Sequence, residues 1–535
     1  MRKQGFVQGA MILAAAGLVS RLFGAVYRIV LTRLIETEAM GLFSMAYSIY
    51  TVILGLSAYG IPVAVSKLVA EREAWDDHLG AKRVFRLALI LLASLGLLFS
   101  VLLFLLAEPL AHHVYQDPRA FLSLRAVAPA ILFVSVMAAI RGYFQGLQQM
   151  TPTAVSQVIE QITRVATMFL LAWYLLPYGL EFAAAGATFG ATTGGIVGLG
   201  YIIWYYWRHR REDRLLPVVS GPQTVPPLES TSQIFQRIFT LAVPISLASI
   251  VLPIMSLIDS TIVPYRLQVA GFAMERATDL YGQLANIAFP LVNMPTILTV
   301  GLAVSLVPAI SEAQSKGSPS LIRSRAMSAI RISGLFALPA ATGLFLLATP
   351  ISTLLYDVPE GGRPLQALAF GLVFLALQQT SSGVLQGLGR TDIPVRNLIV
   401  GAVCKLVMTW FLTPLPGLDV QGAALASVVG FGLTCLLNLL SMHRLVGISL
   451  NIADFLVRPL LALVVMALMV NGSYWGAVEA IGNSLATLIA IALGALVYTV
   501  ALLLVGGIRE RDLEMVPRIG PRIAKTLRKV GLLRR

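Results

Sequence analysis

The sequence predicts an all-α integral membrane protein with about fourteen transmembrane helices, arranged as two parallel six-helix repeats plus two C-terminal helices. Three observations predict it. Of 535 residues, 57% are hydrophobic and only 12% are charged, against the roughly 25% charge of a soluble domain. The apolar residues come in runs of about 20, the length that crosses a bilayer as a helix. The chain also says the same thing twice at one constant offset.

That duplication is anchored by "GYFQGL" at 142–147 and "GVLQGL" at 383–388, 241 residues later. At the same offset Pro109 matches Pro350, Tyr115 matches Tyr356, Pro118 matches Pro359 and Phe133 matches Phe374. Leu124, Ala126 and Ala128 match Leu365, Ala367 and Ala369, and, two residues out of that register, "VAVS" (63–66) meets "LAVS" (302–305). Arg164 meets Lys405, a cation facing a cation, and after a short deletion "AAGAT" (184–188) meets "VQGAA" (420–424). A repeat of this length organises everything that follows.

The spans are expected at about 8–32, 40–65, 86–107, 121–143, 153–176, 183–206, 236–263, 283–309, 328–349, 365–387, 394–414, 420–441, 455–473 and 482–506. This gives an N-terminal six-helix lobe (1–214), a Pro/Ser-rich cytoplasmic linker (215–235), a C-terminal six-helix lobe (236–450), helices thirteen and fourteen (451–508) and a basic cytoplasmic tail (509–535). The opening "MRKQG" with its apolar run looks like a signal peptide. Because Arg21 and Arg28 follow and the apolar pattern continues, it reads as a retained first helix. Cys404 and Cys435 both sit in apolar runs and read as small buried hydrophobes, not a disulfide or metal pair. In each Gln-Gly-Leu motif Gln145 or Gln386 either caps the helix end or lines a cavity mouth, and a glycine-ended helix turn is the simpler account.

Charge placement orients the chain. With the N-terminus in the cytoplasm, thirty of the forty Lys and Arg fall in cytoplasmic segments, six outside and four within spans. Arg141 is among the cytoplasmic ones. Both termini are then cytoplasmic, and the net charge of +14 faces anionic lipid, so no nucleic acid is expected as a partner. The tail "RIGPRIAKTLRKVGLLRR" reads as an orientation and lipid-contact segment. An even number of spans per half gives both repeats the same orientation, and transporters built this way place the substrate at the repeat interface.

Ionisable groups at membrane depth cost roughly 2.5–3.5 kcal/mol each on insertion scales, so each asks for a partner or a purpose. Span one carries Arg21 and Arg28 on one helical face, able to line an aqueous cavity or, near the outer end, to snorkel. Span five carries Gln157, Glu160, Gln161 and Arg164 at i, i+3, i+4, i+7, a single polar stripe in which Glu160 and Arg164 can pair. Lys405 has Gly401 where Arg164 has Glu160, and is expected to face water or substrate. Asp259 is an arginine counter-ion or a proton or sodium site, and Gln283, Asn286 and Asn293 make span eight polar beside Pro290 and Pro295. Three arginines and a lysine against Glu160 and Asp259 predict a cationic cavity suited to phosphate or pyrophosphate. A drug antiporter would instead lead with its acids. "DDH" (Asp76, Asp77, His78) is the one short cluster suggesting an enzyme's metal or sugar-nucleotide site, and reads better as solvated loop. No cofactor is expected, nor a Walker motif for ATP; coupling to Na+ or H+ stays open.

The stretches "QGAMILAAAGLVSRLFGAVYRIVLTRLI", "YGIPVAVSKLVAE" and "LAVSLVPAISEA" resemble the polysaccharide-biosynthesis branch of the multidrug/oligosaccharidyl-lipid/polysaccharide (MOP) exporter superfamily, in particular MurJ-type lipid II flippases and the stage V sporulation protein B-like flippases of Firmicutes. The resemblance covers nearly the whole chain. It implies a V-shaped two-lobe fold, not an enzyme, that moves undecaprenyl-pyrophosphate-linked sugars outward by alternating access in the bacterial cytoplasmic membrane, in contact with the cell-wall synthesis machinery. The alternative it implies is a cation-coupled drug antiporter on the same fold. The family's Ser-Arg-x-x-Gly motif is matched by Ser20, Arg21 and Gly24. Tyr27 and Arg28 stand where lipid II flippases have Arg-Asp, span two lacks their arginine, and the span-eight site reads Tyr281-Gly282-Gln283-Leu284.

Overall fold

The computed structural model describes residues 6–213, 229–448, 455 and 457–507. Most of the expected linker 215–235 and the basic tail 509–535 lie outside the described residues. By internal contacts the chain forms two compact units, Met1–Gly282 and Gln283–Arg535. The described residues are helical, with no strand among them.

The first unit runs α1 (Phe6–Leu54), α2 (Gly60–Ala74), α3 (His78–Pro109), α4 (Ala120–Gly146), α5 (Met150–Leu175), α6 (Leu180–Asp213), α7 (Thr231–Val269) and most of α8 (Met274–Gln283). The second holds α9 (Phe289–Asn293), α10 (Thr296–Ser315), α11 (Pro319–Leu346), α12 (Ala348–Tyr356), α13 (Gly362–Leu368), α14 (Gly371–Gly387), α15 (Asp392–Leu412), α16 (Val420–Val446) and α17 (Arg458–Leu504). Eleven helices among the described residues are long and apolar enough to cross a membrane, or up to twelve if a bent pair at 359–387 counts as one span. The expected count of fourteen is therefore not confirmed. The difference has a physical origin. Helix α1 is broken at Glu36 (φ 65°) and α17 at Gly482 (φ 75°), yet each continues past its break. At 49 and 47 residues, each is about twice the length one crossing needs.

The duplication is written into the packing. A Cβ on Gly142 of α4 would stand 2.7 Å from the Pro62 carbonyl oxygen of α2, and one on Gly383 of α14 would stand 2.6 Å from that of Ala303 in α10. Gly146 is seated on Ser66 and Val69, and Gly387 on Val307 and Ile310. Every one of these pairs is related by the same 241-residue offset. The repeated motif is thus a pair of close-approach seats, one helical turn apart, where backbone meets backbone. As expected, each helix ends on the motif's second glycine, α4 at Gly146 and α14 at Gly387. The left-handed residue after each helix is the next one beyond the motif, Gln148 (φ 58°) and its mate Gly389 (φ 74°). Small residues matter here because apolar area gains nothing by leaving lipid for protein, so helices associate by close packing. Gly142→Ala and Gly383→Ala are each expected to destabilise by about 1–3 kcal/mol, the range for overpacking a filled contact. Matched losses in thermal unfolding midpoint would bear this out.

Around these seats each unit builds a core from repeat mates: Val65, Val69, Ala88, Tyr143 and Phe144 in the first, and Leu306, Ile310, Ala329, Val384 and Leu385 in the second. Helix α17, which has no partner in the repeat, is pinned to the second unit by the Tyr498 hydroxyl donating to the Leu335 carbonyl (3.0 Å) and the Asn483 amide donating to that of Pro350 (3.2 Å).

Candidate functional site

Helix α5 is set by a glycine stripe on α6. Gly186, Gly190, Gly194 and Gly198 recur every fourth residue, and a Cβ on Gly194 would meet the Glu160 carbonyl at 2.8 Å and the Arg164 Cβ at 2.9 Å. In the second unit Gly430 of α16 meets the Lys405 Cβ at 2.9 Å and the Gly401 carbonyl at 3.0 Å. Gly186 and Gly422 likewise sit on the repeat mates Leu171 and Leu412. Arg164 and Lys405 are therefore equivalent in packing as well as in sequence.

Their surroundings differ. Glu160, 8% exposed, accepts from Arg164 Nη2 at 2.6 Å through Oε1 and from Arg141 Nη2 at 3.0 Å through Oε2. Arg141 Nε donates to the Ser156 hydroxyl at 2.7 Å, and Arg164 Nη1 to the Tyr47 hydroxyl at 3.3 Å. The expected i, i+4 pair forms, but it is one half of a triad. Arg141, read from the sequence as a cytoplasmic loop cation, turns back from the last turns of α4 onto α5. The triad carries one net positive charge. Arg164 Nε is buried with no hydrogen-bond partner among the described residues, a donor whose neglect costs about 1–3 kcal/mol until an acceptor reaches it. Gln157 and Gln161 flank the triad on α5, half-buried.

Lys405 departs from expectation. It is 2% exposed, and its ammonium lies 5.2 Å from the centroid of the Phe289 ring. It faces neither water nor an open cavity, and the aromatic face supplies a cation–π contact that offsets part of its desolvation. Gln283 and Asn286 are buried, Asn286 in a π-helical turn at Leu284–Ala288, whereas Asn293 is exposed at the end of α9. A second buried amide set, unforeseen in the sequence, joins Asn397 to Asn438 (2.9 Å) and Asn438 to Ser381 (3.2 Å) and Ser382 (3.1 Å).

Asp259 of α7 is 4% exposed. Beside it runs a chain of hydroxyls. Tyr115 donates to the Met45 carbonyl (2.8 Å), Ser48 and Ser260 lie 2.6 Å apart, and Ser260 bonds Tyr281. Asp259 and Arg28 both lie within electrostatic range of the Tyr281 hydroxyl. Arg28 also acts on Tyr47, the tyrosine that Arg164 bonds. Arg21 lies on α1, and its side chain is outside the described residues.

Two charged clusters close the ends of the first unit. At one, Asp117, fully buried, accepts from Arg119 Nε (2.9 Å) and Nη2 (2.8 Å) and from the Thr278 hydroxyl (2.8 Å), while Arg119 also bonds Glu38. Burial works against the Arg119 charge, but the hydrogen bonds to Asp117 and Glu38 outweigh it and hold its pKa above the ordinary value. At the other, Arg72 bonds Asp77 (3.0 Å) and Glu229 (3.1 Å), and Asp77 caps α3 by accepting from the Gly80 amide (2.8 Å). That occupies the middle of the "DDH" cluster, and His78 pairs with Glu73. Among the described residues no group of three His, Cys, Asp or Glu is placed to hold a metal.

Residues 6–314 match the family model for polysaccharide biosynthesis proteins, and residues 284–411 match the MatE model. The chain belongs to the polysaccharide biosynthesis protein family. Stage V sporulation protein B of Bacillus subtilis (strain 168) is 30% identical over 97% of this chain and 99% of its own length. Lipid II flippase MurJ of the same organism is 28% identical over 86% of this chain and 87% of its own length. A solved structure of lipid II flippase MurJ in an inward closed conformation matches 92% of this chain and 98% of that chain at 17% identity, with a TM-score of 0.67. The fold is thus the one shared by this polysaccharide biosynthesis family and solved MOP-superfamily transporters, in a multi-pass membrane protein.

Proposed function

We propose that this protein moves an undecaprenyl-pyrophosphate-linked cell-wall precursor, lipid II or a related lipid-linked oligosaccharide, from the inner to the outer leaflet of the bacterial cytoplasmic membrane by alternating access. The observation that carries the proposal is similarity along nearly the whole chain to family members, one of them named a lipid II flippase. The buried triad on α5 supports it, since two arginines share one carboxylate and leave a positive charge for an anionic headgroup. Arg21, Arg28 and Arg164 are the proposed headgroup contacts, with Lys405 adding positive field. Both termini lie in the cytoplasm, and the polyprenyl tail stays in lipid beside α17. Outward movement of negative charge gains about 2.3 kcal/mol per charge per 100 mV of inside-negative potential, so coupling to Na+ or H+ is not required.

The MatE match at 284–411 favours a second reading, a cation-coupled drug antiporter in which Glu160 and Asp259 lead. Glu160 already serves two arginines, which leaves it poorly suited to trade a proton or sodium ion. Complementation separates the readings. In a bacterium depleted of its essential lipid II flippase, the wild-type chain is expected to restore growth and Arg21→Ala is not. Growth with Arg21→Ala equal to wild type would remove the arginine model, and drug resistance without growth rescue would favour the antiporter.

A further inference from the structure

The triad on α4 and α5 holds more arginine than a structural pair needs. Glu160 and Arg164 alone, at i, i+4 and 2.6 Å, would make a neutral buried bridge. The second arginine, Arg141, takes the other carboxylate oxygen at 3.0 Å and is itself fixed by Ser156 at 2.7 Å. Arg164 is less fully engaged. Its Nη1 reaches the Tyr47 hydroxyl at 3.3 Å, and its Nε is buried with no hydrogen-bond partner among the described residues. The backbone cannot rearrange, because Gly194 seats it at the Glu160 carbonyl and the Arg164 Cβ. Rotation of the Glu160 side chain is the freedom left.

We propose that Arg141 is a positioning residue that takes over Glu160 when a phosphate or pyrophosphate oxyanion binds Arg164. An anion arriving at Arg164 must compete with Glu160. Without a second cation, releasing the carboxylate would strand a buried negative charge beside an incoming negative one. With Arg141 in place the carboxylate keeps a charged partner through the exchange, and Arg164 presents Nε and Nη2 as the two-donor fork that a phosphate accepts. When the anion leaves, Glu160 returns. The proposal deepens the headgroup-binding reading above and rests on it for its physiological ligand.

Charge counting supplies the test. The triad is +1; Arg141→Gln makes it neutral, Glu160→Gln makes it +2, and the double variant returns it to +1 with Arg164 released. Inorganic pyrophosphate is titrated into the purified full-length chain by calorimetry, and in parallel vesicles carrying polyprenyl pyrophosphate are offered to it. Arg141→Gln is expected to weaken binding and Glu160→Gln to tighten it, each by about tenfold, within the usual range of coupling between interacting sites. The double variant is expected to bind as tightly as Glu160→Gln, where two independent tenfold effects would cancel to the wild-type level, a non-additivity that a double-mutant cycle reads directly. Arg141→Lys, which keeps the charge, should stay closer to wild type than Arg141→Gln. This order with free pyrophosphate shows that the oxyanion itself is read, and with lipid-borne pyrophosphate alone that the attached headgroup is; either supports the exchange. If the four proteins bind alike, or the double variant binds no more tightly than wild type, Arg141 does not act through Glu160 and the proposal fails. The order without growth rescue would remove the lipid II reading and leave the exchange. Growth rescue without the order would do the reverse.

Discussion

Replacing Gly282 with alanine is expected to remove folded protein almost entirely. A Cβ at this position would stand 1.8 Å from the Thr37 carbonyl oxygen and 2.8 Å from the Thr37 carbonyl carbon, with the Gly41 amide nitrogen at 3.1 Å. These are backbone atoms, so no side-chain rotation relieves the clash. The contact is reciprocal, since a Cβ on Gly41 would meet the Thr278 carbonyl at 2.4 Å. Thr37 is further held by its hydroxyl bond to Asp279, and the break of α1 at Glu36 directly precedes it. Two backbones would have to part by more than an ångström, beyond the 1–3 kcal/mol of about one misfitted methylene. Size-exclusion yield in detergent is the measurement. Gly282→Ala should give little monodisperse protein, Gly41→Ala an intermediate amount, and Gly301→Ala, with nothing within 4 Å of its Cβ, a normal amount. Normal yield from Gly282→Ala would mean that α1 and α8 are not in backbone contact.

That contact also shows what a sequence can and cannot disclose here. The duplication was legible because seats such as Gly142 on Pro62 and Gly383 on Ala303 tolerate only small residues, so the glycines stay in register while their neighbours drift. The polar stripe of α5 was legible because partners at i and i+4 share a face whatever surrounds the helix. Arg141 was not. Assigning cations to loops counts positions along the chain, and a long guanidinium near a helix end can turn inward to a carboxylate on the next helix. The cover over Lys405 was hidden for a related reason, since Phe289 sits far away in sequence on a different helix. The count of fourteen is not confirmed because α1 and α17 run on through a single residue with positive φ, Glu36 in the gap expected between spans one and two and Gly482 at the expected start of span fourteen.

The second large effect is expected from Asp117→Asn. This carboxylate is fully buried and grips Arg119 with both oxygens, while the Thr278 hydroxyl ties α8 to the same group. An asparagine keeps the shape but points an amide donor at a guanidinium that has only donors. Breaking a buried ion pair by removing one partner costs about 3–5 kcal/mol. Because the Arg119 side chain is 21% exposed, the lower part of that range applies, and the unfolding midpoint should fall by roughly 10 °C for a unit of this size. Glu38→Gln should cost clearly less. Glu38 is as exposed as Arg119, and Arg119 keeps both bonds to Asp117 when it is lost. The order matters more than either number, since detergent melts are often irreversible and report rates as much as equilibria. If Glu38→Gln melted at or below Asp117→Asn, the buried carboxylate would not be the centre of the cluster. The hold on α8 would then rest on the backbone seat at Gly282.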